Sequence, residues 1–136
     1  MIQRIQSFWL FLAAACACLT FKLPFYVGTT STGIQSFELK ATDNLLILLI
    51  TIAVILMALF TIFLFKKRVV QIRLCIVGVL LQALLIFLYY KDVKTFTTGS
   101  YTLWSILQGG VLVFFIMAAR GISRDEKLVK QSDRLR

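Results

Sequence analysis

The sequence predicts an all-α membrane protein, an antiparallel bundle of four transmembrane helices followed by a short cytoplasmic C-terminal amphipathic helix. The first observation is composition: 60% of the 136 residues are hydrophobic and 15% are charged, against roughly 25% charged residues in soluble proteins. The second is the presence of four long apolar segments separated by short polar ones. The third is that basic residues cluster beside alternate ends of those segments, a pattern that orients membrane helices.

The clearest predicted span is residues 44–65, in which Thr51 and Thr61 are the only polar side chains after the capping residue Asn44. A helix of this length reaches about 30 Å, which is the hydrocarbon thickness of a bilayer. The basic triplet at residues 66–68 follows at once. Since Lys and Arg beside a span resist translocation, this triplet predicts the cytoplasmic end of the helix.

Three further spans are predicted at about residues 5–22, 72–90 and 102–119. The first is rich in Ala and Cys between residues 13 and 18, and such small residues allow helices to approach closely in lipid. Tyr89 and Trp104 stand near the ends of the last two spans, as is typical of aromatic residues at the membrane interface. We therefore expect residues 1–119 to form one four-span bundle.

The basic residues predict a multi-pass topology with both termini in the cytoplasm. Eleven of the 15 Lys and Arg residues fall in the N-terminal segment, the link after the second span and the tail, and four fall in the other two loops. Positive charge near a span is retained on the cytoplasmic side. The net charge of +9 is then explained by orientation and by attraction to anionic lipid at the cytoplasmic face, without nucleic acid as a partner.

The first span has an alternative interpretation as a cleaved signal peptide. A basic start, an apolar core and three alanines before Cys16 are similar to a lipoprotein signal in which Cys16 is acylated. Two observations oppose it, because Ala13 stands where such signals usually carry Leu and the apolar run continues through Phe21. We expect the span to be retained, and processing of Cys16 stays an open alternative.

In the first outer loop, residues 22–43, Pro24 is expected to stop the preceding helix. Alternating apolar and charged residues at 34–40 predict a short strand that pairs with residues 25–27 as a hairpin. The second outer loop, residues 91–101, is expected to be polar and compact.

Residues 120–136 are predicted to form a separate basic helix on the cytoplasmic face. Gly121 is expected to break the preceding helix, and Ser123 followed by Glu126 is a capping-box pattern that predicts a new helix start. This tail is expected to contact anionic lipid or to dock on a protein partner, since acidic residues interrupt its basic ones. The candidate contact residues are Arg124, Lys127, Lys130, Arg134 and Arg136.

Three of the few polar side chains inside the predicted spans form a candidate site. Thr51, Gln82 and Gln108 each lie seven or eight residues from the outer end of a span, which places them roughly 10–12 Å below the outer surface. One interpretation is that Gln82 and Gln108 hydrogen-bond across the bundle, as buried amides in membranes usually do. The alternative is a small polar pocket that opens outward.

The sequence offers no catalytic, cofactor-binding or metal-binding constellation. It contains no His, which removes Ser/His and Cys/His nucleophile pairs and the commonest metal ligand. No predicted span carries Asp or Glu away from its end, so proton-coupled transport lacks its usual carrier. Cys16 and Cys18 are too close together for a Cys-x-x-Cys redox pair. We therefore predict a protein that is not an enzyme and uses no cofactor.

Both ends of the sequence carry a family resemblance. The opening Met-Ile-Gln-Arg-Ile-Gln, the spacing of the four spans and the tail Arg-Asp-Glu-Lys-Leu-Val-Lys-Gln-Ser-Asp-Arg-Leu-Arg resemble a family of small inner-membrane proteins of Bacteroidota, called domain of unknown function 4293. The resemblance covers the whole chain, and the two ends are its specific part. It implies a four-helix protein of a bacterial inner membrane that keeps its first span, and it supplies no catalytic residues.

The expected function is that of a non-enzymatic accessory or scaffold subunit of a membrane complex. It would contact a membrane-protein partner or further copies of itself. The missing chemistry, the small-residue first span and the patterned tail favour this interpretation. The alternative is a small oligomeric transporter or channel for a neutral or amphipathic solute, which would use the layer of Thr51, Gln82 and Gln108.

Overall fold

The computed structural model describes residues 3–33, 35–64 and 67–134, which contain four helices and one three-stranded sheet. In chain order the elements are α1 (Gln3–Leu19), β1 (Tyr26–Thr30), β2 (Phe37–Leu39), α2 (Leu45–Phe63), α3 (Arg68–Val93), β3 (Phe96–Tyr101) and α4 (Ser105–Arg134). Three helices, α2, α3 and α4, are long and apolar enough to cross a membrane, whereas α1 is a shorter apolar helix of 17 residues. The mostly helical fold is confirmed, but the sheet shows that the prediction of an all-α protein was wrong.

The buried face of each long helix follows alternating steps of four and three residues. The buried residues are Ile47, Thr51, Val54, Ala58 and Thr61 in α2, Gln71, Cys75, Gly78, Gln82, Leu85 and Tyr89 in α3, and Gln108, Val111, Phe115, Ala118, Ile122 and Asp125 in α4. A repeat of about 3.5 residues keeps one stripe of a helix against its neighbours along its full length. This stripe is what makes the helices a side-by-side bundle.

The surface of the bundle is apolar, while several polar side chains lie in its interior. Phe63, Leu80 and Phe87 are 75%, 64% and 62% exposed, whereas Thr51 and Gln82 are each 1% exposed. Soluble proteins bury large apolar residues and keep contiguous apolar patches small. This reversed distribution, together with the three long apolar helices, indicates a membrane protein.

The four helices pack in a ring in which α1 contacts α2 and α4, and α3 also contacts α2 and α4. The packing face of α1 carries Ala13, Ala14 and Ala17, each 5% exposed or less, as expected from its small residues. Between α3 and α4 the close approach depends on Gly78, because a Cβ there would lie 2.6 Å from the Phe115 ring. The two helices run antiparallel, since Gly78 meets Phe115 while the later Gln82 meets the earlier Gln108.

The loops at one end of the bundle form an antiparallel sheet in the order β2-β1-β3. In the β1–β2 hairpin Tyr26 pairs with Leu39. This pairing confirms the hairpin that was expected between residues 25–27 and 34–40. Ile34 lies outside the described residues. β3 comes from the second loop and pairs along β1, with Tyr26 opposite Tyr101. The two loops are therefore one structural unit, whereas the second was expected only to be compact.

The sheet is attached to the bundle by an aromatic and apolar cluster. The Phe25 ring stacks on the Tyr89 ring of α3 with centroids 4.5 Å apart. Tyr26, Leu39 and Ile47 belong to the same buried cluster. We call this end of the molecule the sheet end, and the opposite end, which carries most of the basic residues, the basic end.

The prediction of a separate tail helix from residue 120 was wrong, because α4 continues without a break to Arg134. Gly121 lies within this helix and faces α1, where an added Cβ would lie 3.1 Å from Cγ of Gln6. The glycine makes room for α1 and does not end α4. At 30 residues the helix is about 45 Å long, so its last turns extend beyond a bilayer core of about 30 Å.

The segment between α2 and α3 is shorter than expected. The third span was expected to begin at about residue 72, but α3 begins at Arg68 and runs for 26 residues. Phe65 and Lys66 lie outside the described residues. Near this link the Gln71 amide Nε2 donates to the Thr61 carbonyl oxygen at 3.1 Å. This hydrogen bond connects the end of α2 to the start of α3 at the basic end.

Candidate functional site

The centre of the candidate polar layer is a hydrogen-bonded pair of glutamines. The Gln82 amide Nε2 donates to Oε1 of Gln108 at 2.6 Å and to the Gln108 backbone oxygen at 3.0 Å. The two side chains are 1% and 3% exposed. The expected hydrogen bond across the bundle is therefore confirmed. Because a buried amide without a partner is costly in a membrane, the pair also fixes the register of α3 against α4.

Thr51 is buried in the same bundle but forms its hydrogen bond within its own helix. Its Oγ1 donates to the Ile47 carbonyl oxygen one turn earlier, at 2.7 Å. This bond satisfies the hydroxyl donor without a partner on another helix. The structure therefore brings Gln82 and Gln108 into direct contact, while Thr51 contributes a buried hydroxyl that bonds its own backbone.

The glutamine pair is covered on the side that faces the sheet. Tyr89 lies two turns from Gln82 on the same buried stripe and is 1% exposed. Phe25 from the loop stacks on Tyr89. The polar layer is thus closed toward the sheet end, whereas a pocket opening outward would require this position to be free.

A second buried polar contact lies near the basic end and was missed in the sequence. The Gln6 amide Nε2 of α1 donates to Oδ2 of Asp125 in α4, and the two residues are 5% and 7% exposed. The other carboxylate oxygen, Oδ1, has no hydrogen-bond partner among the described residues. The contact ties the first turns of α1 to α4. The pattern that could have revealed it is the stripe of α4, in which Asp125 continues the steps of four and three after Ile122.

Two acidic residues of the predicted tail have partners within the protein. Asp125 faces α1, and Glu126 pairs with Lys130 four residues later at 2.7 Å. The pair follows the favourable i, i+4 orientation of a helix surface. The side chain of Asp133 lies outside the described residues. Both described carboxylates are therefore already engaged within the protein.

The basic candidates of the tail separate into two groups. Arg124 and Lys127 line a groove of about 490 Å³ between α3 and α4, together with Arg120 and Ser123. Lys130 lies outside this groove, with its side chain 73% exposed. Arg136 and the side chain of Arg134 lie outside the described part of the chain. The expected single basic surface is thus divided between a groove and an exposed helix face.

At the sheet end, polar groups lie in a cavity of about 430 Å³ beneath the strands. Asn44 Nδ2 donates to Oδ2 of Asp92 at 2.8 Å, and Asn44 Oδ1 accepts from the Leu46 backbone nitrogen, which confirms Asn44 as the cap of α2. Asp43 Oδ2 accepts from the Lys40 backbone nitrogen at 2.6 Å. These carboxylates are used in capping and turn formation, and the described residues include no group of three metal-ligating side chains.

The three cysteines are free: Cys16 is half-buried, Cys18 exposed and Cys75 buried. Cys75 is part of the main core, while Cys16 packs at its edge. Cys16 and Cys75 thus occupy positions of small apolar residues at a helix interface.

Comparison with known proteins identifies the chain at the level of a family. No curated protein and no solved structure matches it. The model of one family, described as domain of unknown function (DUF4293), matches residues 2–135, which is nearly the whole chain. The chain therefore belongs to the DUF4293 family.

Proposed function

We propose that this protein is a multi-pass protein of a bacterial inner membrane, with both termini in the cytoplasm, that serves as a non-enzymatic accessory subunit of a membrane complex. The orientation is supported by the uneven charge of the two ends. Exposed cations at the basic end include Lys67, Arg73, Arg120, Arg124, Lys127 and Lys130, and the sheet end carries Lys22, Lys40, Lys91 and Lys94. Because positive charge beside a span is retained inside, this distribution supports a cytoplasmic basic end.

The observation that favours an accessory role over transport is the closed interior. The glutamine pair is hydrogen-bonded, Tyr89 and Phe25 cover it on one side, and Phe115 packs against Gly78 one turn below it. A transporter for a polar or neutral solute needs polar groups that line a water-filled path. Here the polar groups bond one another or their own backbone, which is what a rigid packing element requires.

The accessory role is tested by finding what accompanies the protein in its own membrane. The chain, tagged and produced at its native level, is extracted in lipid-retaining polymer particles and its companions are quantified by mass spectrometry. We expect one membrane protein in fixed stoichiometry. A preparation containing only copies of this chain would contradict the proposal. The control is a tagged four-helix membrane protein of similar size, extracted in the same way.

One observation favours the alternative of a small transporter or channel. Gln82 and Gln108 place two amides inside an apolar bundle, and intramembrane polar residues often mark solute pathways. The double variant Gln82→Leu with Gln108→Leu separates the two functions. The accessory proposal expects the same partner to be recovered with this variant, whereas transport expects an intact fold with solute flux abolished.

A further inference from the structure

We propose that the groove between α3 and α4 at the basic end binds one anionic phospholipid, with its phosphate held by Arg120, Arg124 and Lys127. The groove has a volume of about 490 Å³. Its lining consists of Ile72, Ile76, Val79, Ile116, Ala119, Arg120, Ser123, Arg124 and Lys127. This inference goes beyond the proposed accessory role, refines the lipid contact expected of the basic tail, and does not depend on the identity of a protein partner.

The lining changes from apolar to basic along the length of the groove. On α4 the apolar residues Ile116 and Ala119 come first, and Arg120 to Lys127 follow toward the basic end. From Ile116 to Lys127 the helix rises about 16 Å, which is enough to accommodate a headgroup and the first part of an acyl chain. The α3 wall is apolar throughout. A molecule with an anionic head and an apolar tail matches this division.

The division also coincides with the expected boundary of the membrane. Sequence hydropathy places the end of the last apolar segment at residue 119, directly before Arg120. The apolar half of the groove therefore lies at hydrocarbon depth and the cations lie at headgroup depth. Basic pockets of this kind between transmembrane helices bind anionic lipid headgroups.

Among the described residues, no carboxylate forms an ion pair with the three cations of the groove. In the described residues, neither nearby carboxylate pairs with them, because Asp125 accepts from Gln6 on α1 and Glu126 pairs with Lys130. Ser123 adds a hydroxyl to the same lining. Guanidinium groups donate paired hydrogen bonds that fit phosphate oxygens. Charge complementarity thus selects an anion, and the apolar half of the groove selects a lipid over free phosphate.

Native mass spectrometry of the delipidated chain in detergent tests the proposal. Dioleoyl phosphatidylglycerol and dioleoyl phosphatidylcholine, which share their acyl chains, are added in separate titrations. We expect one phosphatidylglycerol to be retained at least about tenfold more strongly than phosphatidylcholine. Equal retention of the two lipids would overturn the proposal.

Two variants with a matched control locate the site. The triple change Arg120→Gln, Arg124→Gln and Lys127→Gln is expected to abolish the preference for phosphatidylglycerol. The control, Lys67→Gln, Lys91→Gln and Lys130→Gln, removes the same charge outside the groove and is expected to keep it. If the triple variant and the control lost the preference for phosphatidylglycerol equally, the preference would be a general effect of charge, and the proposed site would be wrong.

The second variant, Ala119→Phe, fills the apolar half and leaves every charge in place. We expect it to weaken phosphatidylglycerol binding several-fold with the helical circular dichroism unchanged, which keeps the test valid if the triple variant fails to fold. In a final experiment, inorganic phosphate is added as a competitor of the bound lipid. If phosphate displaced the lipid at equal concentration, or if Ala119→Phe bound normally, the groove would be an anion site without a lipid slot, and the proposal would be wrong.

Discussion

The two ends of this bundle differ in how their polar and charged side chains are arranged. At the sheet end, two loops pair into one sheet, and their aromatic side chains pack onto α3 through the stack of Phe25 on Tyr89. At the basic end, α4 extends past the bundle and leaves Arg124 and Lys127 exposed beside a groove. At the sheet end Asp43, Asn44 and Asp92 hydrogen-bond within the protein, whereas at the basic end the charges of Arg124 and Lys127 face the groove. Changes at the sheet end should therefore alter folding, while changes at the basic end should alter binding.

The largest expected effect comes from removing the contact that holds the sheet. Tyr89→Ala deletes a side chain that is 1% exposed, together with its stack on Phe25. Large aromatic truncations in cores cost at least about 3 kcal/mol of unfolding free energy. Hydrogen exchange should rise in β1 and β3 and stay unchanged in the last turns of α4. Equal loosening of both ends would show that the ends are not independent.

A smaller effect is expected from the buried polar contact near the basic end. Asp125→Ala leaves the Gln6 amide without its partner, and a buried unsatisfied group costs about 1–3 kcal/mol. The matched control is Glu126→Ala, which breaks only the surface pair with Lys130, worth about 0.2–0.5 kcal/mol. Thermal unfolding in detergent compares the two. A cost for Glu126→Ala that equals or exceeds that of Asp125→Ala would contradict the structure.

The glutamine pair between the two ends is expected to show a modest coupling energy. Gln108→Leu alone leaves the Gln82 amide unpaired in the bundle. Replacing both residues by Leu leaves no buried amide that needs a hydrogen-bond partner. A double-mutant cycle is expected to give a coupling of about 0.6 kcal/mol, and at most roughly 2 kcal/mol. Additive effects of the two single changes would mean that the hydrogen bond at 2.6 Å does not contribute to stability.

The smallest effect concerns the exposed ion pair of β2. The hydrogen bond and charge of Glu38 raise the pKa of the Lys40 ammonium. A raised pKa of a cation means that its contribution is complete below the unfolded pKa and is lost as pH rises through the folded value. The pair therefore stays intact across neutral pH. Lys40→Gln should leave the melting temperature unchanged between pH 6 and 8, and a clear shift would show that the sheet depends on this pair.

The helices could be predicted from the sequence because each is indicated by a long, continuous run of neighbouring apolar residues. The uncharged segment around residues 44–65 and the cap at Asn44 needed no knowledge of distant residues. Local rules failed where a distant contact decided the outcome. Gly121, Ser123 and Glu126 suggested a helix break, but the packing of Gln6 beside Gly121 keeps α4 continuous.

The third strand shows the same limitation in the loops. β3 contains a glycine and few apolar residues, and its partner β1 lies some 70 positions earlier in the chain. The hairpin of β1 and β2 could be predicted because both strands share one loop. In the candidate site, the glutamine pair could be predicted because both residues lie at the same depth in their spans. The buried position of Asp125 could be predicted only by continuing the four-and-three stripe of α4 past residue 119.

The unbroken course of α4 has a mechanical consequence. The helix begins four residues after β3 ends and reaches the groove near its other end, so it acts as a rigid rod between the two faces of the molecule. A rod of about 45 Å that pivots at its middle moves each end by about 2 Å for a tilt of about 5°. A helix interrupted at Gly121 would absorb such a tilt in its hinge. Because α4 is continuous, we expect a rigid tilt of the whole helix to move the cations at the far face together with its end beside the strands.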